Sequence, residues 1–344
     1  MAKRKPLFRL QRVWLASRQQ QQQHSTKGFT LLELLVVVVI AGGLVSGLMY
    51  IVVQLMGVDQ RESAQSETQR EMQMAMDYMA TELRDSVYVY TAQTLGPTGA
   101  RTGNLTDYLP PALTNNSVPV LAFWKQLPYP DAIRVACAGA NPPVGVNCTN
   151  GSSYTLVIYS LARNVGGGVW QGKARITRYA LTEFNATGAL TQGYVNPGLY
   201  QNNFNTWPFG NVNGANTMTN IQEMQVATTR QPGIPNNGAS IATLVDFVDD
   251  SDINALPNNA GQVGACPATY VLTPPDAMLN TGGLKDVRSF YACVSPQQAI
   301  AGNQDTVIYL RGSVFGRGNF SATSFLPTLE TRVLSRGVLG RIPN

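Results

Sequence analysis

The chain has 344 residues and a formal charge of +5, but seven basic side chains and no acidic one lie in residues 1–28. Residues 29–344 hold 18 basic against 20 acidic side chains, so their near-neutral balance gives no reason to expect nucleic acid as a partner. The only histidine, His24, also precedes residue 29, which excludes Ser-His and Cys-His nucleophilic pairs and histidine metal sites from the rest of the chain.

A basic leader precedes a long apolar segment. Residues 34–58 contain no charged side chain. At ~1.5 Å per helical residue, such a run reaches across a bilayer core of ~30 Å. The basic residues favour a cytoplasmic N-terminus, with the C-terminal part outside. We therefore predict a basic N-terminal segment on the cytoplasmic side, followed by a membrane-spanning helix.

Glu33 lies at the start of this apolar segment, where a carboxylate is costly. An ionised carboxylate costs ~2.5–3.5 kcal/mol by insertion scales and therefore needs a partner. No basic side chain follows within reach in the same helix. Cleavage between Gly28 and Phe29 would create an amino group on Phe29 that could pair with Glu33 of its own chain or of a neighbour. The alternative is an ordinary signal anchor, which has no use for a buried carboxylate.

The leader junction resembles that of type IV pilins and pseudopilins. Residues 27–33 read Lys-Gly-Phe-Thr-Leu-Leu-Glu. In that family, a prepilin peptidase removes the leader after the glycine and methylates the new N-terminal residue. The resemblance implies a cleaved leader over residues 1–28 and a membrane-spanning helix half over residues 29–58. The implied processing site is Lys27, Gly28 and Phe29, with cleavage after Gly28 and N-methylation of Phe29. It also implies that Glu33 pairs with a neighbouring subunit's N-terminus during assembly.

The helix is predicted to continue beyond the apolar segment. Met72, Met76, Met79 and Leu83 recur at steps of four and three residues, which places them on one helix face. This stripe is typical of core packing. We therefore predict an amphipathic helix half over residues 59–90 that packs against a globular head.

The sequence of residues 67–84 narrows the resemblance. It is similar to minor pilins of the PilW type and J-type pseudopilins of type II secretion, and most like a cyanobacterial pseudopilin of hormogonium polysaccharide secretion. This implies a single-pass inner-membrane precursor, a periplasmic or extracellular head, and a mature form in a pilus or pseudopilus.

The implied partners are prepilin peptidase, other pilins or pseudopilins, the inner-membrane assembly platform and membrane lipid. The implied role is pilus biogenesis, motility or secretion. The alternative is an adhesin that binds polysaccharide or surfaces.

The remaining residues, 91–344, are predicted to form a β-rich head. Short β-type runs alternate with segments rich in Gly, Pro, Asn and Thr. The predicted strands are residues 154–161, 174–181, 241–248, 287–294 and 306–315, with weaker ones at 118–123 and 132–137. Asn164–Gly168 can turn the first of these back on the second as a hairpin. The expected fold is α+β and pilin-like, with the long N-terminal helix packed on an antiparallel β-sheet head with long loops.

A long surface loop is predicted over residues 194–220, which are rich in Asn and Gly. Its aromatic side chains either anchor it to the sheet or stack on sugar rings, and anchoring is the more common role. These residues are Tyr200, Phe204, Trp207 and Phe209.

The chain's four cysteines allow three pairings. Cys137 lies close to Cys148 in sequence, and Cys266 lies close to Cys293. Disulfides are favoured on the outer side of a membrane, most simply within these two pairs. Four free buried thiols are the alternative. Zinc is disfavoured because the spacings are wide and no histidine is available.

One acidic cluster is a candidate calcium site, formed by Asp246, Asp249, Asp250, Asp252 and Asn254. The last three match the first ligand positions of an EF-hand loop, but Ala255 replaces its glycine and Gly261 stands where a bidentate Glu is required. An EF-hand is thereby excluded. A looser site of carboxylate and carbonyl oxygens and a solvated acidic loop both remain open. No other cofactor or catalytic set is indicated, so we expect a protein that is not an enzyme.

Overall fold

The structure is a computed structural model that divides into two compact units after residue 57. The first helix, α1 (Leu31–Arg84), contributes residues to both units. The residues described are 28–96, 105–141, 143, 146–166, 168–191, 193–198, 204, 207, 210–212, 215–217, 239–255, 266–296, 303–317 and 326–335.

The first half of α1 is apolar on all sides. It includes the β-branched run Val36–Ile40, which has only modest helix propensity in water. In lipid such a run is helical because each backbone polar group must be satisfied within the segment. Its large apolar side chains are exposed, from 47% for Val36 to 89% for Leu31. Within the described parts of the chain, α1 is the one helix long and apolar enough to cross a membrane.

The second half of α1 supplies one face to the core of the head. The predicted stripe is confirmed, because Met72, Met76, Met79 and Leu83 are all buried in one hydrophobic cluster with strands of both main sheets. Between them, charged residues such as Glu71 and Asp77 occupy other faces. This amphipathic pattern sets which side of the helix meets the head.

The helix ends at Arg84 and does not reach residue 90 as predicted. Strand β1 (Ser86–Val89) follows almost directly. Its sequence, Ser-Val-Tyr-Val, is rich in β-branched and aromatic residues that favour a strand. Pairing of β1 with the next strand buries most of these side chains, so the extended conformation wins over continuation of the helix.

The main sheet is antiparallel and has five strands in the order β1-β2-β3-β4-β7. The hairpin predicted around Asn164–Gly168 is confirmed, because it joins β3 to β4. The strands predicted over residues 118–123, 154–161, 174–181 and 241–248 are all present and mostly extend further. The observed bounds are β2 Ser117–Pro128, β3 Ser152–Arg163, β4 Ala174–Leu181 and β7 Ala239–Val248.

A second antiparallel sheet, which was not predicted as separate, has the order β11-β10-β9-β8. The strand predicted over residues 306–315 ends earlier because residues 311–313 turn to the end of β7. There Asp249 N donates to Arg311 O and Ser313 N donates to Phe247 O. The strand bounds are β8 Val271–Thr273, β9 Phe290–Val294, β10 Asp305–Leu310 and β11 Leu329–Leu334, and a small hairpin joins β5 Gly210–Val212 to β6 Ala215–Thr217.

The strand predicted over residues 132–137 is wrong, since these residues lie in helix α3 (Asp131–Ala138). Pro130 has an extended backbone and precedes the first turn, and Asp131 places an acid at the positive end of the helix. Only Ile133 of this helix is buried. The other short helices are α2 Ala92–Leu95 and α4 Asp276–Thr281, with 3-10 turns at Leu105–Tyr108, Pro111–Leu113 and Ile253–Ala255.

Two aromatic residues of the predicted loop over residues 194–220 are buried in the core. Trp207 donates its indole N–H to Val195 O at 2.8 Å, and Tyr90 donates its hydroxyl to Phe204 O at 2.7 Å. These contacts anchor the loop to the sheet. Tyr200 and Phe209 lie outside the described residues.

Candidate functional site

The N-terminal junction begins as non-helical chain that leads into α1. Thr30 immediately precedes the helix, and its side-chain oxygen accepts a hydrogen bond from Glu33 N at 3.3 Å. Thr30 and Glu33 thus have the spacing of a capping box, a signal that our sequence analysis missed. The acid also lies in the first turn, where the helix dipole favours negative charge.

The carboxylate of Glu33 has no ion-pair partner within the described part of the chain. The next basic residue along α1 is Arg61, which is about 42 Å away at ~1.5 Å per residue. Lys27 precedes the described residues.

A known sequence family matches this junction and the start of α1. Residues 23–49 match the family described as the prokaryotic N-terminal methylation motif. This motif supports a type IV pilin-like protein. A comparison with curated proteins and with solved structures finds no match.

The prepilin motif carries consequences for processing and placement. It implies cleavage by a prepilin peptidase and assembly with other pilins. Together with the apolar first half of α1, it supports a membrane-anchored precursor that crosses the membrane once. It is typical of a structural subunit and not of an enzyme.

Both cysteine pairs favoured by sequence proximity are disulfide-bonded in the structure. Cys137 at the end of α3 is joined to Cys148, with Cα atoms 5.4 Å apart. Cys266 is joined to Cys293 of β9, with Cα atoms 5.5 Å apart. The first bond fixes an otherwise exposed helix to the chain that leads into β3. The second fixes the chain before β8 to the centre of the second sheet.

The carboxylates of the acidic cluster are held by separate protein partners. Asp246 accepts hydrogen bonds from Asn164 and from the backbone of Gln171 and Gly172, at 2.8–3.1 Å. Asp249 is buried and accepts from Arg311 Nε at 2.9 Å.

The other members of the cluster also have partners. Asp250 lies 3.6 Å from Arg163 and 3.7 Å from Lys173, and Asp252 accepts from Asn254 N at 2.7 Å. Across the described ranges, no group of three or more His, Cys, Asp or Glu side chains could hold a metal. The calcium site stays a prediction.

Glu82, in the last turn of α1, forms a charged network with three side chains of the main sheet. Its side chain is buried, with the residue only 7% exposed. Arg178 of β4 donates to both carboxylate oxygens, at 2.7 and 2.8 Å. Lys125 of β2 and the hydroxyl of Tyr159 of β3 donate as well. One carboxylate therefore joins the helix to three adjacent strands, which we call the Glu82 network.

The electrostatics of the Glu82 network favour the ionised carboxylate. Burial raises the pKa of Glu82, but hydrogen bonds from Arg178, Lys125 and Tyr159 outweigh it and lower the pKa from 4.5 to about 2. Burial and the nearby carboxylate raise the pKa of Tyr159, so its hydroxyl stays protonated and donates. The hydrogen bond to Glu82 also raises the pKa of Arg178.

The lowered pKa of Glu82 predicts a loss of stability in acid. The folded state holds the carboxylate ionised below the ordinary pKa of 4.5, so this contribution is present above that pH and is lost as the pH falls towards about 2. Its size is on the order of 3 kcal/mol. Chemical denaturation should therefore show the stability gap between the wild type and Glu82→Gln narrowing between about pH 5 and pH 2. A gap that is constant with pH would contradict the assignment.

Proposed function

We propose that the chain is a minor pilin or pseudopilin, made as a membrane precursor and assembled into a type IV pilus-like filament or secretion pseudopilus. The observation that carries the proposal is the prepilin motif at the start of a helix whose apolar half is exposed in the single chain. Leaving this surface in water is unfavourable at ~25 cal/mol per Å². Lipid covers it in the precursor, and the helices of neighbouring subunits cover it in the filament.

Cleavage after Gly28 prepares the chain for assembly in two ways. It removes a leader with seven basic and no acidic side chains, which changes the side-chain balance to 18 basic against 20 acidic. It also creates a positively charged amino group on Phe29. Glu33 of one subunit then pairs with the amino group of Phe29 of its neighbour. Because Glu33 lacks a counter-charge within the described chain, this pairing would also select the axial register of neighbouring helices.

The finer assignment rests on the resemblance of residues 67–84 to minor pilins of the PilW type and J-type pseudopilins. In this assignment, the head is periplasmic or extracellular, and the filament serves pilus biogenesis, motility or the secretion of polysaccharide or protein. The disulfides Cys137–Cys148 and Cys266–Cys293 are consistent with an oxidising compartment.

Gly28→Ala tests the processing step directly. A Cβ atom added at Gly28 meets no atom within 4 Å, so the structure gives no folding reason for a defect. We expect the variant to accumulate as an uncleaved precursor, because the peptidase must accommodate the residue at the cut. Intact mass measurement of the membrane fraction would show the retained leader.

Gly42→Ala is the matched control for this experiment. It adds the same methyl group to another glycine with open space around it, within the apolar half of α1. This variant should be cleaved like the wild type. Normal cleavage of Gly28→Ala would refute the processing assignment.

A further inference from the structure

A groove on the flank of the head lies between α1 and the edge strand β7. Its volume is about 580 Å³, within the range typical of ligand sites. Its helix wall consists of residues 71, 74, 75 and 78, which lie on one face of α1, and its opposite wall is the run Thr243–Phe247. The loop between β3 and β4 closes one side with Val169 and Trp170. The groove therefore has a helix on one side and a strand on the other.

Strand β7 offers an unpaired edge along this groove. Among the strands that the structure describes, it is the last one of the main sheet and pairs with β4 alone. Alternate residues of an edge strand direct N–H and C=O groups outward. Within the described chain, residues 241–246 make no backbone hydrogen bond on that outer side, whereas Phe247 O accepts from Ser313 N. The open part of the edge can receive an extended peptide by strand addition.

The side chains of the groove favour apolar contacts. Trp170 is 44% exposed, Tyr78 46% and Val169 88%, although all three line a concave surface. An exposed Trp beside an open strand edge is an anchor point typical of peptide recognition.

The polar groups of the groove leave one uncompensated charge. Glu71 is paired with Arg317 at 2.7 and 2.8 Å, and Arg317 also lies over the ring of Phe247. Asp246 is bonded only to neutral donors in the described chain. Its negative charge favours a basic residue in the occupant. Because most polar groups are already engaged, the groove suits a peptide with apolar side chains better than a sugar.

Residues 336–344 of the chain combine the apolar and basic side chains that the groove favours. They read Arg-Gly-Val-Leu-Gly-Arg-Ile-Pro-Asn, with three large apolar side chains, two arginines and no acid. They continue from β11, whose last described neighbour, Ser335, bonds to Gln304. We propose that the groove binds residues 336–344 of a second copy of the chain as an added strand beside β7.

The position of Ser335 favours a second copy over the same chain. Gln304 bonds to Val89 of β1, which is the edge of the main sheet opposite β7. Four inter-strand spacings separate these edges by about 19 Å. Nine extended residues reach about 30 Å at most, and covering five residues of β7 takes about 17 Å of that length. One chain cannot span both distances, whereas a neighbouring copy faces no such limit.

Cysteine crosslinking between two differently tagged full-length variants in detergent tests this contact. Val169→Cys places a thiol in the groove, and Ile342→Cys places one in the segment 336–344. Mild oxidation of the mixture should give a mixed disulfide dimer, with a yield ~10-fold above that of a control pair, because docking raises the effective concentration of the two thiols. A synthetic peptide of residues 334–344 should suppress the dimer.

The control pair is Val165→Cys with Ile342→Cys. Val165 is an exposed valine of the same loop, at 69%, but does not line the groove. Adding Trp170→Ala to the Val169→Cys chain should reduce the yield of the mixed dimer. Adding Arg341→Glu to the Ile342→Cys chain should also reduce it. Equal yields from the two valine positions would overturn the proposal. So would an intramolecular crosslink without dimer in a single chain that carries both cysteines.

Discussion

Replacing Glu82 by alanine is expected to lower the free energy of unfolding of the head by about 3–5 kcal/mol. The substitution removes the carboxylate but leaves Lys125 and Arg178 facing each other with little access to water. Two uncompensated positive charges in a core cost more than the lost hydrogen bonds alone. The same substitution also loosens the end of α1 from β2, β3 and β4 at once, so unfolding should begin there.

Denaturant titration of the full-length protein in detergent, followed by near-ultraviolet circular dichroism, measures this effect. Glu67→Ala is the matched control, since Glu67 lies on the same helix and pairs with Arg317 but is exposed. Exposed ion pairs contribute about 1 kcal/mol or less. Equal, small losses for both variants would show that the Glu82 network does not hold the helix to the head.

Glu33→Ala is expected to be cleaved normally but to be almost absent from assembled filaments. The variant keeps Gly28 and Phe29, so the proposed processing site is intact. It leaves the amino group of the neighbouring subunit without a counter-charge in an apolar surrounding. At about 3 kcal/mol for such a charge, the assembly constant falls by roughly 100-fold.

Fractionation of producing cells into sheared filaments and membranes, with mass measurement of each fraction, gives this result. Glu62→Ala serves as the control, because Glu62 is an exposed acid on α1 beyond the apolar half. It should assemble like the wild type. Full incorporation of the cleaved Glu33→Ala chain would count against the pairing with Phe29.

The sequence predicts those parts of the fold that depend on residues close together along the chain. The stripe from Met72 to Leu83 lies on one face of a helix whatever it packs against, and the β3–β4 hairpin needs only its turn. The end of α1 and the helix α3 were missed because the local signals compete. In the first case Val87 and Tyr88 favour a strand, and in the second Pro130 followed by Asp131 favours a helix start.

The Glu82 network could not be predicted, because its partners are 43 to 96 residues away along the chain. Glu82 itself is one of several acids in a polar stretch, and nothing in its neighbours marks it. The acidic cluster shows the reverse case. The spacing of its residues suggests a shared ligand. In the fold, however, Asp249 pairs with Arg311, which is 62 residues away along the chain, and Asp250 pairs with Arg163. Local sequence does not reveal these contacts.

The position of the Glu82 network determines how mechanical load passes through the subunit. In a filament of the proposed kind, α1 packs against the helices of neighbouring subunits. A force that acts on the head is then borne by the contacts between α1 and the sheet. Glu82 lies two residues before the helix ends at Arg84, and its contacts reach three neighbouring strands. A tensile force along α1 is thus distributed over three strands of the sheet. The contacts of Glu82 must break together before the sheet can separate from α1.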